Sequence, residues 1–221
     1  MLYIVATPIG NLEDISHRAL TVLNQVDLIL TEDTRHFSKL AKRYEIKTPL
    51  KSNHEHNEIK QLSSIIEMLK LEKQIALVSD AGTPCISDPG YRLVKACHEN
   101  DITVSTVPGA CAAISALSIS GLPSDRFIFN GFLPVKPGKK EKEILNSLDL
   151  GITSIYYESP HRIIKSIELI AKLTDNKRII FVIREISKKF ETYYRGYPLD
   201  VLEQIGEKTK GEFVVIISKE L

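Results

Sequence analysis

Short runs of β-branched and aliphatic residues alternate with amphipathic stretches along the whole chain, the pattern of a largely parallel sheet with helical crossovers. In the first half, residues 2–7, 27–31, 75–79 and 103–107 read as strands. Between them Ile59, Leu62, Ile65, Ile66 and Leu69 recur every three or four positions, which predicts one apolar stripe on a helix of about three to four turns. Residues 102–124 carry no charge and approach bilayer-spanning length, but Pro108-Gly109 interrupts them and Gly121-Leu122-Pro123 closes them. They are expected to form a buried strand followed by a buried helix. The breakers at residues 120–125 then place a domain boundary, giving residues 1–120 and 121–221. Beyond it, residues 126–132, 153–157, 178–183, 190–194 and 213–217 read as strands, and Ser159-Pro160 reads as the cap and first-turn proline of a helix. The short link at 185–189 predicts an antiparallel pair. The fold class is therefore α/β, with a parallel first sheet and a mixed second one.

Composition adds limits. With 43% hydrophobic and 26% charged residues, a chain of 221 residues buries enough apolar surface for one large or two small domains. Lysine and arginine number 29 against 28 acidic residues, so at a net charge of +1 any site for a polyanion must be a local patch. Three cysteines with no CxxC pair argue against a disulfide framework or a structural zinc site and fit a reducing cytoplasm. The first residues lack a basic leader and reach Pro8 and Gly10 too early for a signal peptide. His54-Glu55-His56-Asn57-Glu58 mimics a metal cluster, but no third group of ligands stands at useful spacing, and no metal is expected.

In open α/β sheets ligands bind beyond the carboxyl ends of the strands. Four such ends here are rich in small residues: 7–11, 79–90, 107–113 and 210–212. Small side chains let the backbone approach a flat ligand, and its N–H and C=O groups then read the edges of a nucleoside. The dinucleotide fingerprint GxGxxG is missing after the first strand and no phosphate-cradling GxxxxGK[ST] occurs, so a nicotinamide oxidoreductase, suggested only by Asp33 lying about twenty residues after Gly10, is disfavoured.

Tyr3-Ile4-Val5-Ala6-Thr7-Pro8-Ile9-Gly10-Asn11, then Glu32-Asp33-Thr34-Arg35, the stretch 78–90, Val107-Pro108-Gly109 and Tyr157-Glu158-Ser159-Pro160-His161-Arg162 together resemble the tetrapyrrole methylase family. Within it they resemble the branch that methylates the ribose 2′-oxygen of a cytidine in 16S ribosomal RNA. The resemblance implies a two-domain methyltransferase that uses S-adenosylmethionine, bound in a cleft between the domains, and works as a homodimer. Carried over motif by motif, the cofactor would meet Pro8, then Asp80, Ala81, Gly82, Thr83 and Ile86, then Ala110, Cys111 and Ala112, and finally Tyr157, Glu212 and Val214. Ala6-Thr7-Pro8-Ile9-Gly10-Asn11 departs from the GxGPGD of the corrin and porphyrin enzymes, and Thr83 stands where they carry an aspartate. Both departures weaken a tetrapyrrole substrate. Larger members of the branch continue with a small helical extension, so RNA contacts made by it would lie outside these 221 residues.

Methyl transfer to a hydroxyl requires in-line positioning and a group to take the proton. Glu32, His54, Asp80, Glu158 and Glu185 all fall near predicted strand ends; Glu32 and Asp80 follow first-domain strands and are the favoured catalytic pair. As plain structure, Glu32-Asp33 would serve the N-terminus of a helix and Asp80 a turn. RNA contacts are expected from the basic run that includes Arg35, from Lys136, Lys139, Lys140 and Lys142, which only Glu141 opposes, and from Arg184 and Lys188. The competing readings are a corrin or porphyrin C-methyltransferase, which needs no basic rim, and an RNA-binding module without turnover.

Overall fold

The structure, a computed structural model, describes residues 1–219 and divides the chain into two compact units, Met1–Cys111 and Ala112–Leu221. In the first unit β1 (Leu2–Val5), β2 (Leu28–Thr31), β3 (Leu50–Ser52), β4 (Ile75–Leu77) and β5 (Val104–Val107) form one parallel sheet in the order β3-β2-β4-β1-β5. Its helices are α1 (His17–Gln25), α2 (Thr34–Arg43), α3 (Glu58–Lys70) and α4 (Tyr91–Glu99).

The period of two along a strand sorts the core onto two faces. Leu28, Leu30, Ile75 and Leu77 pack with Ile65, Ile66 and Leu69 of α3 and Leu93, Ala96 and Cys97 of α4. Ile29, Ala76 and Val78 pack on the opposite side with Ala19 and Leu23 of α1 and Phe37 and Leu40 of α2. Both faces are covered, so β2 and β4 are buried throughout. The apolar stripe read from residues 59–69 is α3, although Ile59 itself points to solvent.

Two expectations need correction here. β3 escaped the sequence pattern because it has three residues and one of them is Lys51; it forms because β2 offers a free edge, with Ile29 opposite Leu50 and Thr31 opposite Ser52. β5 is no buried strand: it lies at the other edge, and Thr106 is exposed.

The second unit begins with α5 (Ala112–Ser120), followed by β6 (Phe127–Phe132), α6 (Pro137–Asp149), β7 (Thr153–Glu158), α7 (Ile163–Leu173), β8 (Ile180–Arg184), β9 (Thr192–Gly196), α8 (Pro198–Ile205) and β10 (Phe213–Ile217). Its sheet runs β6-β7-β10-β8-β9, parallel only between β6 and β7. Tyr156, Val182, Phe213 and Val215 face a core closed by Ile167 and Ile170 of α7 and Val201 and Ile205 of α8.

The helix α5 was expected to close the first domain; it packs instead on β7 and β10 of this second sheet, so the division falls before it. Ala113 and Ala116 permit the close approach, and Arg195 of β9 donates from Nε to the Ser120 carbonyl at 3.1 Å, satisfying a carbonyl at the helix end. Nor is α5 wholly buried, for Ile114 and Ile119 are exposed. The helix expected to open at Ser159-Pro160 starts at Ile163. Ser159 leads a preceding turn, in which its carbonyl accepts from the N–H groups of Arg162 and Ile163.

Gly90, at φ +127°, sits where an added Cβ would lie 2.6 Å from Leu77 Cδ2 and 2.7 Å from Cys85 Sγ. Gly90→Ala is expected to lower stability by about 1–3 kcal/mol through backbone strain and overpacking, read as a lower urea midpoint with an unchanged slope.

Candidate active site

Because all five strands of the first sheet are parallel, their carboxyl ends emerge on one edge, and the loops that follow are tied together there. Thr7 and Gly82 exchange backbone hydrogen bonds of 2.9 and 3.1 Å, joining the loops after β1 and β4. Thr83 Oγ1 donates to the Ala110 carbonyl at 3.3 Å, joining the loops after β4 and β5. Thr7 Oγ1 donates to the Ser79 carbonyl, and Ser79 Oγ to that of Ala81. Gly82 has φ +80° with its Cβ position 3.3 Å from Ile9 Cγ2, and a Cβ on Gly109 would stand 3.0 Å from that of Ala6. Glycine is required at both points for the loops to converge. Cys85 at φ +70° and Ser87 at +62° add two non-glycine residues in the left-handed region, strain of the kind that concentrates at ligand sites. Pro8 is buried in this floor, Thr83, Ala110 and Cys111 are half-buried, and Ala81 and Ile86 are exposed.

The two carboxylates chosen from sequence come together. Glu32, at the end of β2, is raised above the ordinary carboxylate range by burial first and then by the charge of Asp80, with His54 opposing the shift. Asp80 accepts from the Asp33 N–H at 3.1 Å, tying the ends of β2 and β4. Asp33 itself caps α2. Its carboxylate accepts from the Arg35 backbone at 2.8 Å and from the Arg35 guanidinium, which together hold it down to about 2.

A third carboxylate belongs to this group. Asp88 is raised to about 6, chiefly by burial, with smaller contributions from the charges of Glu32 and Asp80. Sequence reading passed over it because Asp88-Pro89-Gly90 looks like an ordinary turn. Near Glu32, the residues after β3 form a turn. Asn53 there is 2% exposed with neither amide atom bonded, and Nδ1 of His54 is likewise buried without a partner.

The second unit uses its charges differently. Glu158, 1% exposed, takes Lys140 Nζ at 3.2 Å and Ser166 Oγ at 2.6 Å on one oxygen, and Arg162 Nη2 and the Ser159 N–H, both at 2.7 Å, on the other. Arg162 also donates to the Leu133 carbonyl at 3.0 Å. The network fastens α6 and α7 to the ends of β6 and β7. Lys140, expected at phosphate, is therefore structural: it is 6% exposed and donates to Ser166 as well. Glu158 leaves the list of proton acceptors for the same reason.

Lys188 bridges Glu185 at 3.1 Å and Glu212 at 2.8 Å, so one expected RNA contact and one expected cofactor contact are paired with each other. Arg184 donates to the carbonyls of Lys210 and Phe190. Val214 is buried in the sheet between β7 and β8, while Tyr157 is half-buried and Lys139 exposed. Ala112 opens α5, in the second unit.

Removing the Lys140 ammonium leaves buried Glu158 with Arg162 as its remaining cation. Lys140→Ala is expected to cost about 1–3 kcal/mol, the penalty of a buried charged hydrogen bond lost, measured by urea denaturation. Asp88 gives a pH signature: its folded form holds a proton that the unfolded chain releases from pH 3.8 upward, so the stability it contributes is full below that value and lost as pH rises through about 6. Asp88→Asn should therefore melt higher than the parent at pH 8, the difference closing as the pH falls to about 4.

The sequence profile of the tetrapyrrole (corrin/porphyrin) methylases matches residues 1–198. A protein of Pasteurella multocida named ribosomal RNA small subunit methyltransferase I is 47% identical over 220 residues, covering 98% of this chain and 78% of the relative. One of the same name from Haemophilus influenzae is also 47% identical with the same coverage. Among solved structures, a diphthine synthase superposes with a TM-score of 0.78 at 13% identity, covering 100% of this chain and 90% of the other, which bears on the fold alone. On a match that spans most of its length and relatives this similar, the chain belongs to the tetrapyrrole (corrin/porphyrin) methylase family.

Proposed function

We propose that this methyltransferase transfers a methyl group from S-adenosylmethionine to the ribose 2′-oxygen of a cytidine in 16S ribosomal RNA, free or in the small subunit. Relatives at 47% identity bear the name of a ribosomal RNA small subunit methyltransferase, and the departures from GxGPGD point the same way. A homodimeric state and a cytoplasmic location belong to the proposal. Among the described residues no helix is long and apolar enough to cross a membrane.

The observation that carries the reading is the pairing of a backbone floor with two carboxylates on one sheet edge. Gly82 and Gly109 keep that floor free of side chains where Cβ atoms would crowd it, and exposed Ala81 with half-buried Ala110 and Cys111 beside it suits a nucleoside. These residues would hold the cofactor, with Asp80 beside them; Tyr157 and Glu212 of the second unit are assigned by resemblance. When bound, the cofactor supplies a methyl group activated by a sulfonium.

Glu32 takes the proton of the ribose hydroxyl as the new C–O bond forms. Its burial and the charge of Asp80 make it a stronger base than a solvated carboxylate. Asp80, through the Asp33 N–H, fixes the two strand ends relative to each other. Arg35, Lys139 and Lys188 carry charge toward phosphate, Lys188 only after loosening from Glu212.

Calorimetry is expected to show binding of S-adenosylmethionine and none of NAD, and labelled methyl should enter 16S RNA or small subunits at a ribose. Glu32→Gln should then lower kcat roughly 10²–10⁴-fold with little change in cofactor affinity. Label appearing only in a corrin or porphyrin overturns the proposal.

A further inference from the structure

Strand β6 slips against β7: Phe129 pairs with Ile155 and Phe132 with Tyr157, so β6 advances three residues where β7 advances two. The extra residue falls at Asn130-Gly131, where Gly131 adopts φ +65°, the left-handed conformation that builds a β-bulge. On a regular strand, residues three apart point to opposite faces. The bulge cancels that alternation. Both rings meet Tyr157 edge to face, with centroids 4.9 Å away for Phe129 and 5.5 Å for Phe132.

The outer ring of this row stays wet. Phe132 is 58% exposed and Val135 beyond it 76%. A phenyl ring re-aimed by a bulge and then left in solvent adds little to the core, since burying it is what would stabilise the fold. Directly after it come Lys136, Lys139 and Lys142, all exposed and none in an ion pair among the described residues. Only Lys140 of this run is turned inward, to Glu158. The surface thus sets a flat π-face beside a row of unneutralised ammonium groups.

An apolar protein partner would match the ring and leave the charges unanswered, and a duplex would match the charges while hiding its bases. A single-stranded RNA answers both, with a base to stack and phosphates to neutralise. We infer that Phe132, braced by Tyr157, is a stacking platform for an unpaired nucleobase of a single-stranded RNA, whose backbone runs along Lys136, Lys139 and Lys142. The inference rests on the RNA methyltransferase reading and names how that substrate is held.

The test uses the purified full chain and a short single-stranded RNA in which 2-aminopurine neighbours a cytidine. Fluorescence quenching reports stacking, and titrations at several salt concentrations separate the ring from the charges. Phe132→Ala should weaken binding roughly 5- to 100-fold and abolish the quench, with an unchanged slope of log K against log salt. Phe132→Tyr should bind like the parent, and Lys139→Gln should flatten the slope by about 0.7. Melting temperature and affinity for S-adenosylmethionine should be the same in Phe132→Ala and the parent.

Equal RNA affinity and quench in the parent and Phe132→Ala overturn the inference while leaving the RNA reading intact. A loss of cofactor affinity with RNA binding preserved would make Phe132 a brace for Tyr157 only and overturn it too. So would a changed monomer–dimer equilibrium with RNA binding preserved, which would make the patch a protein interface. If the parent binds neither this RNA nor 16S RNA, the RNA reading itself falls and the inference with it.

Discussion

The constraint on which the first unit depends is the contact between backbones at the carboxyl edge of its sheet. β1 lies between β4 and β5, so the loops leaving these three strands must share one small space. The Thr7–Gly82 bridge, the Thr83 bond to Ala110 and the packing of Gly109 on Ala6 are the solution. Each requires a small residue at a fixed place. The price is local strain at Cys85 and Ser87, which hold left-handed backbones without being glycine, and it persists because the surrounding bonds over-determine the loop. What results is a floor of backbone and small side chains where the three loops meet.

Charge is used in opposite ways in the two units. Glu158 lies deep in the second and accepts from Lys140, Arg162, Ser166 and the Ser159 N–H. A carboxylate so saturated is committed to its partners, and the arrangement fixes strand ends and helices in place. Glu32, Asp80 and Asp88 instead repel one another with few partners: the Asp33 N–H on Asp80 and Ser79 on Asp88. Partial burial, and after it the neighbouring negative charge, raises both Glu32 and Asp88, Asp88 to about 6. Saturation marks the structural network, and its lack sets the three carboxylates of the candidate site apart.

The same contrast explains what was legible in the sequence. Of the ten strands among the described residues, nine were visible because each is a compact apolar or alternating run; β3, with Leu50-Lys51-Ser52, has no period to detect and exists only through pairing with β2. The mixed second sheet followed from a short link. Helix α5 was assigned to the wrong side of the boundary because Gly121 and Pro123 look like a linker, whereas the Arg195 contacts and the small face of Ala113 and Ala116 are tertiary facts. In the candidate site, the nearness of Glu32 and Asp80 was legible because both follow parallel strands. Asp88 was not, since its place depends on the 79–90 loop returning to Ser79. Lys140 was misread for a general reason: in Lys136-Pro137-Gly138-Lys139-Lys140 the sequence shows equal charges, and only helical periodicity in α6 together with a buried Glu158 on β7 selects one of them for the interior.

That selection bears on the lysines that remain outside. A helix that turns Lys140 inward presents Lys139 and Lys142 elsewhere on its surface, so neutralising one lysine within the fold also fixes where these two stand. The Glu158 network holds the start of α6 against the end of β7, and β7 carries Tyr157, the ring on which Phe129 and Phe132 rest. The buried ion pairs and the exposed aromatic ledge therefore share one scaffold. Rigid support of this kind keeps a surface aromatic in a single orientation, which lowers the entropy lost when a flat ligand settles on it. The motif Tyr157-Glu158-Ser159-Pro160-His161-Arg162 then has a physical reading that does not pass through the reacting atoms: Glu158 and Arg162 build the clamp, and Tyr157 is what it holds in place.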